Sequence, residues 1–391
     1  MDPLGPSTNR LAWPLARWLV LLLPGLALAG WLSGCLGPAQ GLPQLRIGHA
    51  PHDHHAPLYI AAMNPEHFRR HGGVWLEEQE FRKHYRLMID NQPRALIEIE
   101  VNTGGDNLIR RLAEDHYDLS FGGIPPMLSA IDQDRPIRIL SPVMAEGSGL
   151  VVRKDLPANN WAEFLALLRQ HDTAKQPLRI GYRGGKSVQN MIFLTALRHS
   201  QISPGFSLGQ GDASLILLDM QSAKNLPPAL EKGLIDGYLV SQPWLAMAEI
   251  KGDAKVIARM QELPPDGHWQ GHPCCALAAS NSFSQSQPEL AEALIGLFRR
   301  ANQRIREQPE QAAEQVARWL NLPVEVERRS LADIDFDVQL DQRWHQGMAH
   351  WLKALQQQGE FKGRLQHSSA EQLPGQIYRL DLYQHAQEAR P

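Results

Sequence analysis

From Leu45 onward the chain alternates short apolar runs with amphipathic stretches, and the spacing separates strands from helices. Leu45-Arg46-Ile47-Gly48-His49 predicts a short strand that ends in a loop. Residues 57–71 predict a helix interrupted at Asn64-Pro65, and residues 95–101 (ALIEIEV) alternate as a half-buried strand. Asp106 is placed to cap a helix over 107–115. A strand over 117–121 is expected to stop at Gly122-Gly123-Ile124-Pro125-Pro126, with a helix at 127–132 and a strand at 137–142. After Gly147 the rhythm restarts. Strands at 149–153, 178–182, 215–218 and 235–240 alternate with helices at 161–170, 188–199 and 223–232. A last strand from Cys274 leads into long helices at 289–307, 309–320 and 340–358, and the final thirty residues carry little pattern.

This alternation predicts an α/β fold with mixed, mainly parallel sheets, and the restart near residue 148 predicts two lobes. No period of 20–50 residues repeats, which excludes a solenoid. Composition narrows the picture further. The 391 residues carry a net charge of −3, so no basic excess argues for nucleic acid. At 43% hydrophobic and 21% charged, the chain is ordinary globular material. Three cysteines (Cys35, Cys274, Cys275) are too few for a disulfide scaffold or a multi-cysteine zinc module. Sixteen histidines are more than expected, and four of them lie between His49 and His55.

The first 35 residues read as an address rather than as fold. Arg10 and Arg17 precede a charge-free run from Trp18 to Leu32, short for a membrane-spanning helix, which needs about 20 residues. The run ends in Leu32-Ser33-Gly34-Cys35, which resembles the lipobox of bacterial lipoproteins. That resemblance implies cleavage before Cys35, acylation of its thiol, and a tether over 36–44. The chain would then be exported and lipid-anchored in the periplasm. A simple signal anchor with an unmodified Cys35 is the plainer alternative.

The order of several segments carries a wider resemblance. LRIGH, a TGG turn into a helix, DLSFGGIPP and RPIRILSPV are followed by GLVVRKD, LRIGYRGGKSVQN, ALEKGLIDGYLVSQPWLAMAE and HPCCALAASNSF. Over about 45–351 this resembles the solute-binding proteins of ATP-driven importers, in the nitrate, sulfonate and taurine branch that also holds thiamine-precursor binders. The resemblance implies a type II periplasmic-binding fold with two crossing hinge strands and a ligand cleft between lobes. The first lobe would comprise 45–147 and 268–391, and the second 148–267. It further implies a monomer that does no chemistry, needs no cofactor, and hands a small anionic or polar organic solute to a permease and its ATPase.

Strand-end loops supply the candidate ligand contacts. Thr103-Gly104-Gly105 opens a helix whose backbone N–H groups suit an anion, and Gly122-Gly123-Ile124 lets backbone approach a ligand. Tight-turn geometry alone is the alternative for both. Gly184-Gly185-Lys186-Ser187 lacks a glycine at Ile180 and so fails as a nucleotide loop. Ser187 and the N–H groups of Val188 and Gln189 suit a small anion instead; a capping serine is the plainer reading. Gln242 stands where the family often has an acid, which argues against a strongly cationic ligand. His52, His54 and His55 follow the first strand, where the family contacts its ligand, and Cys274 opens the last strand.

Two alternatives stay open. His52, His54 and His55 with Cys274 and Cys275 carry donors suited to a late transition metal or its chelate. A Cys/His pair on the same fold would suit a periplasmic enzyme, with a cysteine as nucleophile and histidine as base. The adjacent cysteines themselves are expected to alternate, one facing each side of the strand, and a disulfide between them would need strained geometry.

Overall fold

The computed structural model describes residues 41–102, 104–170, 177–207 and 213–388. Among them the strands are β1 (Gln44–His49), β2 (Val74–Glu80), β3 (His84–Ile89), β4 (Gln92–Val101), β5 (Leu119–Gly123), β6 (Ile137–Glu146), β7 (Ser148–Arg153), β8 (Leu178–Tyr182), β9 (Leu215–Asp219), β10 (Gly237–Ser241), β11 (Ala254–Arg259), β12 (Pro273–Ser280) and β13 (Ile334–Asp335). They form an eight-stranded sheet ordered β13-β6-β12-β5-β1-β4-β3-β2 and a five-stranded sheet ordered β11-β7-β10-β8-β9.

The α/β class is as expected, but the pairing is less parallel than the alternation suggested. Parallel ladders join β1 to β4 and β5, and β8 to β9 and β10. The other ladders are antiparallel. One cause is the β2–β3 hairpin, which adds two antiparallel strands at an edge. Its charged residues hid it: Glu77, Glu78, Glu80 and Arg86 break the apolar run, and Arg86 pairs with Glu77 at 3.1 Å. Charges of this kind suit a sheet edge. The other cause is that the chain crosses between sheets twice. Only Gly147 separates β6 from β7, and residues 260–272 carry the chain from β11 back to β12.

Among the central strands β12 is buried along its whole length, while β1 and β5 each bury an apolar pair on one face. Leu45 and Ile47 of β1, Leu119 and Phe121 of β5, and all of β12 are buried. Helix Pro288–Glu307 packs on helix Ala56–Met63, and helix Leu380–Glu388, unread in the sequence, packs on helix Pro288–Glu307 in turn. Two local expectations are corrected. Helix Gly105–Ala113 is capped by Gly104, with Asp106 inside its first turn, because the turn closes two residues early. Pro125 and Pro126 do not stop a strand into a loop; they occupy the first turn of helix Ile124–Asp132, where a missing N–H costs nothing.

Candidate functional site

Strand ends from both sheets converge on one cavity of about 280 Å³. From the larger sheet come His52, His54 and His55 after β1, the helix start at Gly104 and Gly105 after β4, and Gly122 and Gly123 at the end of β5. The smaller sheet contributes Arg183 and Ser187 to Gln189 after β8, Asp219 and Gln221 at and after β9, and Ser241 at the end of β10. Cys274 and Cys275 close the floor. A shallower arm adds Trp244 beside Arg183 and Ser241.

Three helices begin at this cavity, and none has a side-chain cap. Gly104 precedes helix Gly105–Ala113, Gly123 precedes helix Ile124–Asp132, and Ser187 precedes helix Val188–His199. Uncapped N–H groups therefore face the same space from both sheets at the Gly104 and Ser187 starts, whereas Pro125 and Pro126 leave the third start few N–H groups to offer. Ser187 lies at the N-cap position, yet its hydroxyl makes no cap bond and its residue lines the cavity. Arg183 adds a guanidinium. The carboxylates of Asp106 and Asp219 line the same cavity and act on Arg183, and Asp219 also accepts from the N–H of Gly184 at 3.3 Å and of Gln221 at 2.8 Å.

The histidines divide by hydrogen bonding. His49 is core: its Nδ1 lies 3.2 Å from the Tyr59 hydroxyl, and burial pulls its pKa down to about 3. His55 Nδ1 accepts the Ala50 N–H at 3.0 Å, which leaves the proton of the neutral ring on Nε2. His54 is arranged the other way. Its Nε2 donates to the Gly147 carbonyl at 2.9 Å, so Nδ1 carries the lone pair, and Nδ1 faces Cys274 Sγ at 3.4 Å and Cys275 Sγ at 3.8 Å. Burial, then the neighbouring His55 and His54, keep His52 neutral well below the usual imidazole range. His272 packs edge-on to Trp269 and Trp351, its pKa lowered to about 4 by burial.

Both cysteines are free and buried. They do not alternate across the strand as expected. Pro273 pairs with Ala145 and Cys275 with the next residue of β6, Met144, so Cys274 is the extra residue of a bulge. The bulge breaks the two-residue period, and both sulfurs lie within 4.8 Å of each other and of the His54 nitrogen. A hydrogen bond from the Cys274 thiol holds Cys275 well below the ordinary thiol range, while burial pushes Cys274 up.

Most predicted contacts are brought together here: His52, His54, His55, Gly104, Gly105, Gly122, Gly123, Ser187, Val188, Gln189 and Cys274 all line the cavity. Two do not. Ile124 is fully buried in the core, because it begins a helix that turns its side chain inward. Gln242 is also fully buried; its Oε1 accepts the Ala246 N–H at 3.1 Å and its Nε2 donates to Asp333 at 2.9 Å. Its lack of charge therefore says nothing about the ligand. Thr103 and Cys35 lie outside the described residues. Sequence reasoning missed Arg183, although it directly follows β8, the position where strand-end contacts are expected.

The fold sets two α/β sheets around one cleft, and comparison with known proteins places it among proteins of the same architecture. The model of the NMT1-like family matches residues 39–321, and the chain belongs to that family. Among solved structures it is similar to the ligand-binding component of an ABC-type import system from Staphylococcus aureus with zinc bound (TM-score 0.66, 16% identity, 88% of this chain and 99% of that one). It is also similar to the nitrate-binding protein NrtA of Synechocystis (0.65, 14%, 89% of each chain). A third is the alkanesulfonate-binding protein SsuA of Xanthomonas axonopodis pv. citri bound to MOPS (0.58, 17%, 82% and 94%). At such identities the likeness establishes the periplasmic binding protein fold. A curated relative, the bicarbonate transport ATP-binding protein CmpC of Synechococcus elongatus, is 26% identical over 264 residues. That match covers 64% of this chain but only 34% of CmpC. No helix among the described residues is long and apolar enough to cross a membrane.

Proposed function

We propose that this chain is the extracytoplasmic solute-binding component of an ATP-driven importer, and that it encloses a small anionic or polar solute between its two sheets. The observation that carries this is the convergence of two uncapped helix starts, at Gly104 and Ser187, and Arg183 on one cavity. Its volume, about 280 Å³, is close to the lower end of small-ligand sites, which run from about 300 to 1,000 Å³. Nitrate and sulfonates, the ligands of NrtA and SsuA by name, are the first probes to try.

Segments 45–147 and 268–391 form one lobe in this reading, and 148–267 the other, with closure about Gly147 and residues 260–272. Hinge closure around ligand is the usual motion of such folds. Cys35 carries the lipid that keeps the protein, exported and monomeric, beside its permease. The comparisons do not favour the enzyme alternative.

The test is native mass spectrometry of the purified protein, followed by calorimetry with nitrate, bicarbonate, methanesulfonate and taurine. Saturable 1:1 binding of one of these, or recovery of a tightly held small organic anion, supports the reading. A cleft that holds no small solute under either measurement overturns it. Palmitate labelling that is lost in C35S, with globomycin leaving a labelled but uncleaved precursor, tests the anchor.

A further inference from the structure

The cavity floor holds a group that anion binding does not use. His54 Nδ1, Cys274 Sγ and Cys275 Sγ form a triangle of soft donors within 4.8 Å of one another. The spacing is specific. A tetrahedral Zn²⁺, at about 2.3 Å from sulfur and about 2.0 Å from nitrogen, places its ligands roughly 3.5 to 3.8 Å apart. The two sulfur–nitrogen edges here are 3.4 and 3.8 Å, against roughly 3.5 Å for a sulfur–nitrogen edge about such an ion.

The surroundings point the same way. A metal-bound histidine ordinarily donates its other ring N–H to a carbonyl or carboxylate, which fixes the ring and its tautomer. His54 already does this through Nε2 to Gly147. The bulge at Cys274 brings both sulfurs to one side of β12, which a regular strand forbids. Buried thiolates need a counter-charge, and two of them balance a divalent cation. His55 is excluded as a ligand because its Nδ1 accepts from Ala50, which leaves the proton of the neutral ring on Nε2.

We infer that His54, Cys274 and Cys275 bind one thiophilic divalent cation of the zinc class, with its fourth position open to the cleft. This rests on the reading of the cleft as a solute site and deepens it: the solute would coordinate the metal through an anionic donor while Arg183 and the helix starts receive its remaining charge. Three protein ligands and one open position are the arrangement of exchangeable zinc sites. Binding forms two metal–sulfur bonds, and each thiol that coordinates gives up its proton to solvent.

The experiment uses the full chain, purified with reductant, stripped with a chelator and titrated with Co²⁺ as an optical stand-in and then with Zn²⁺. One Co²⁺ per chain is expected, with a thiolate-to-cobalt charge-transfer band, tetrahedral visible bands, and displacement of both by Zn²⁺. C274S and C275S should each weaken the band and lower affinity at least tenfold, and H54Q should lower affinity while keeping the charge transfer. Circular dichroism of each variant checks that it is folded. Absence of the charge-transfer band in the folded native chain, or equal Zn²⁺ affinity in native and C274S/C275S chains, overturns the site. Nitrate or methanesulfonate binding by the metal-free chain is measured separately. If it persists where no metal binds, the metal site fails and the importer reading stands.

Discussion

His54 donates a 2.9 Å hydrogen bond to the carbonyl of Gly147, the single residue between β6 and β7. The loop after the first strand is thereby fastened to a crossing between the two sheets. Gly147 is held at φ +74°, and a Cβ there would stand 2.9 Å from His54 Nε2 and 2.7 Å from Ile334.

Gly147→Ala should therefore destabilise the protein by about 1–3 kcal/mol, through the left-handed backbone and the collision with His54. Urea unfolding measures it. An unchanged midpoint would show that the crossing relaxes freely around the new methyl.

Arg183→Ala and Ser187→Ala should each weaken binding of whichever small anion the calorimetric screen identifies, by about tenfold or more, since a hydrogen bond to a charged group contributes about 1.5–3 kcal/mol. Lys186→Ala is the informative neighbour. Its ammonium pairs with Glu360 at 3.5 Å and does not line the cavity, so its removal should leave affinity within about twofold. Equal losses in Arg183→Ala and Lys186→Ala, with Ser187→Ala unchanged, would mean that general positive charge, rather than the built cleft, draws the anion.

The basic side of the pH range is governed by a buried acid pair. Asp53 accepts a hydrogen bond from Ser330, and Glu327 lies beside it fully buried, its pKa raised to about 7 chiefly by burial. The neighbouring Asp53 is raised too. A carboxyl whose folded pKa exceeds its unfolded value contributes stability below about 4.5 and loses it as pH rises through about 7. Glu327→Gln should thus be more stable than the native chain at pH 8, by about 1–3 kcal/mol, and melt at a higher temperature, with the gain fading toward pH 4.5. Parallel melting curves for the two proteins across pH 5–8 would refute the assignment.

On the acid side the sign reverses. His272, held neutral with a folded pKa of about 4, binds its proton more readily when unfolded. Its contribution is full above pH 6.5 and is lost as pH falls toward 4. His272→Phe forfeits the 2.8 Å bond from Nδ1 to the Trp269 carbonyl, costing about 1 kcal/mol at pH 7, yet should lose less stability between pH 6.5 and 4.5. Chemical denaturation at several pH values distinguishes the two slopes.

Periodic segments were legible along the chain because one face of each is buried. Helices 161–170, 188–199 and 309–320 and strand 178–182 have the bounds that their pattern predicts. The β2–β3 hairpin was not legible, since an edge strand tolerates charges that blur its period. The glycine turns and the histidine loop were legible as strand-end features. What they do there was not, because the proton position on His54 and His55 depends on distant partners, Gly147 and Ala50. Gln242 misled for the same reason: its partner Asp333 lies 91 residues away. The cysteine pair failed as an alternating couple because a bulge is a property of two strands in register, and the sequence of β12 alone does not specify it.

That bulge sets how easily the chelating pair is gained or lost. One residue inserted into or deleted from the start of β12 changes whether neighbouring sulfurs share a side, while the ladder from Cys275 to Ala279 along β5 keeps its partners. Among relatives of this chain, a single-codon insertion or deletion just after Pro273 would divide thiol-bearing clefts from ordinary ones without remodelling the sheet around them.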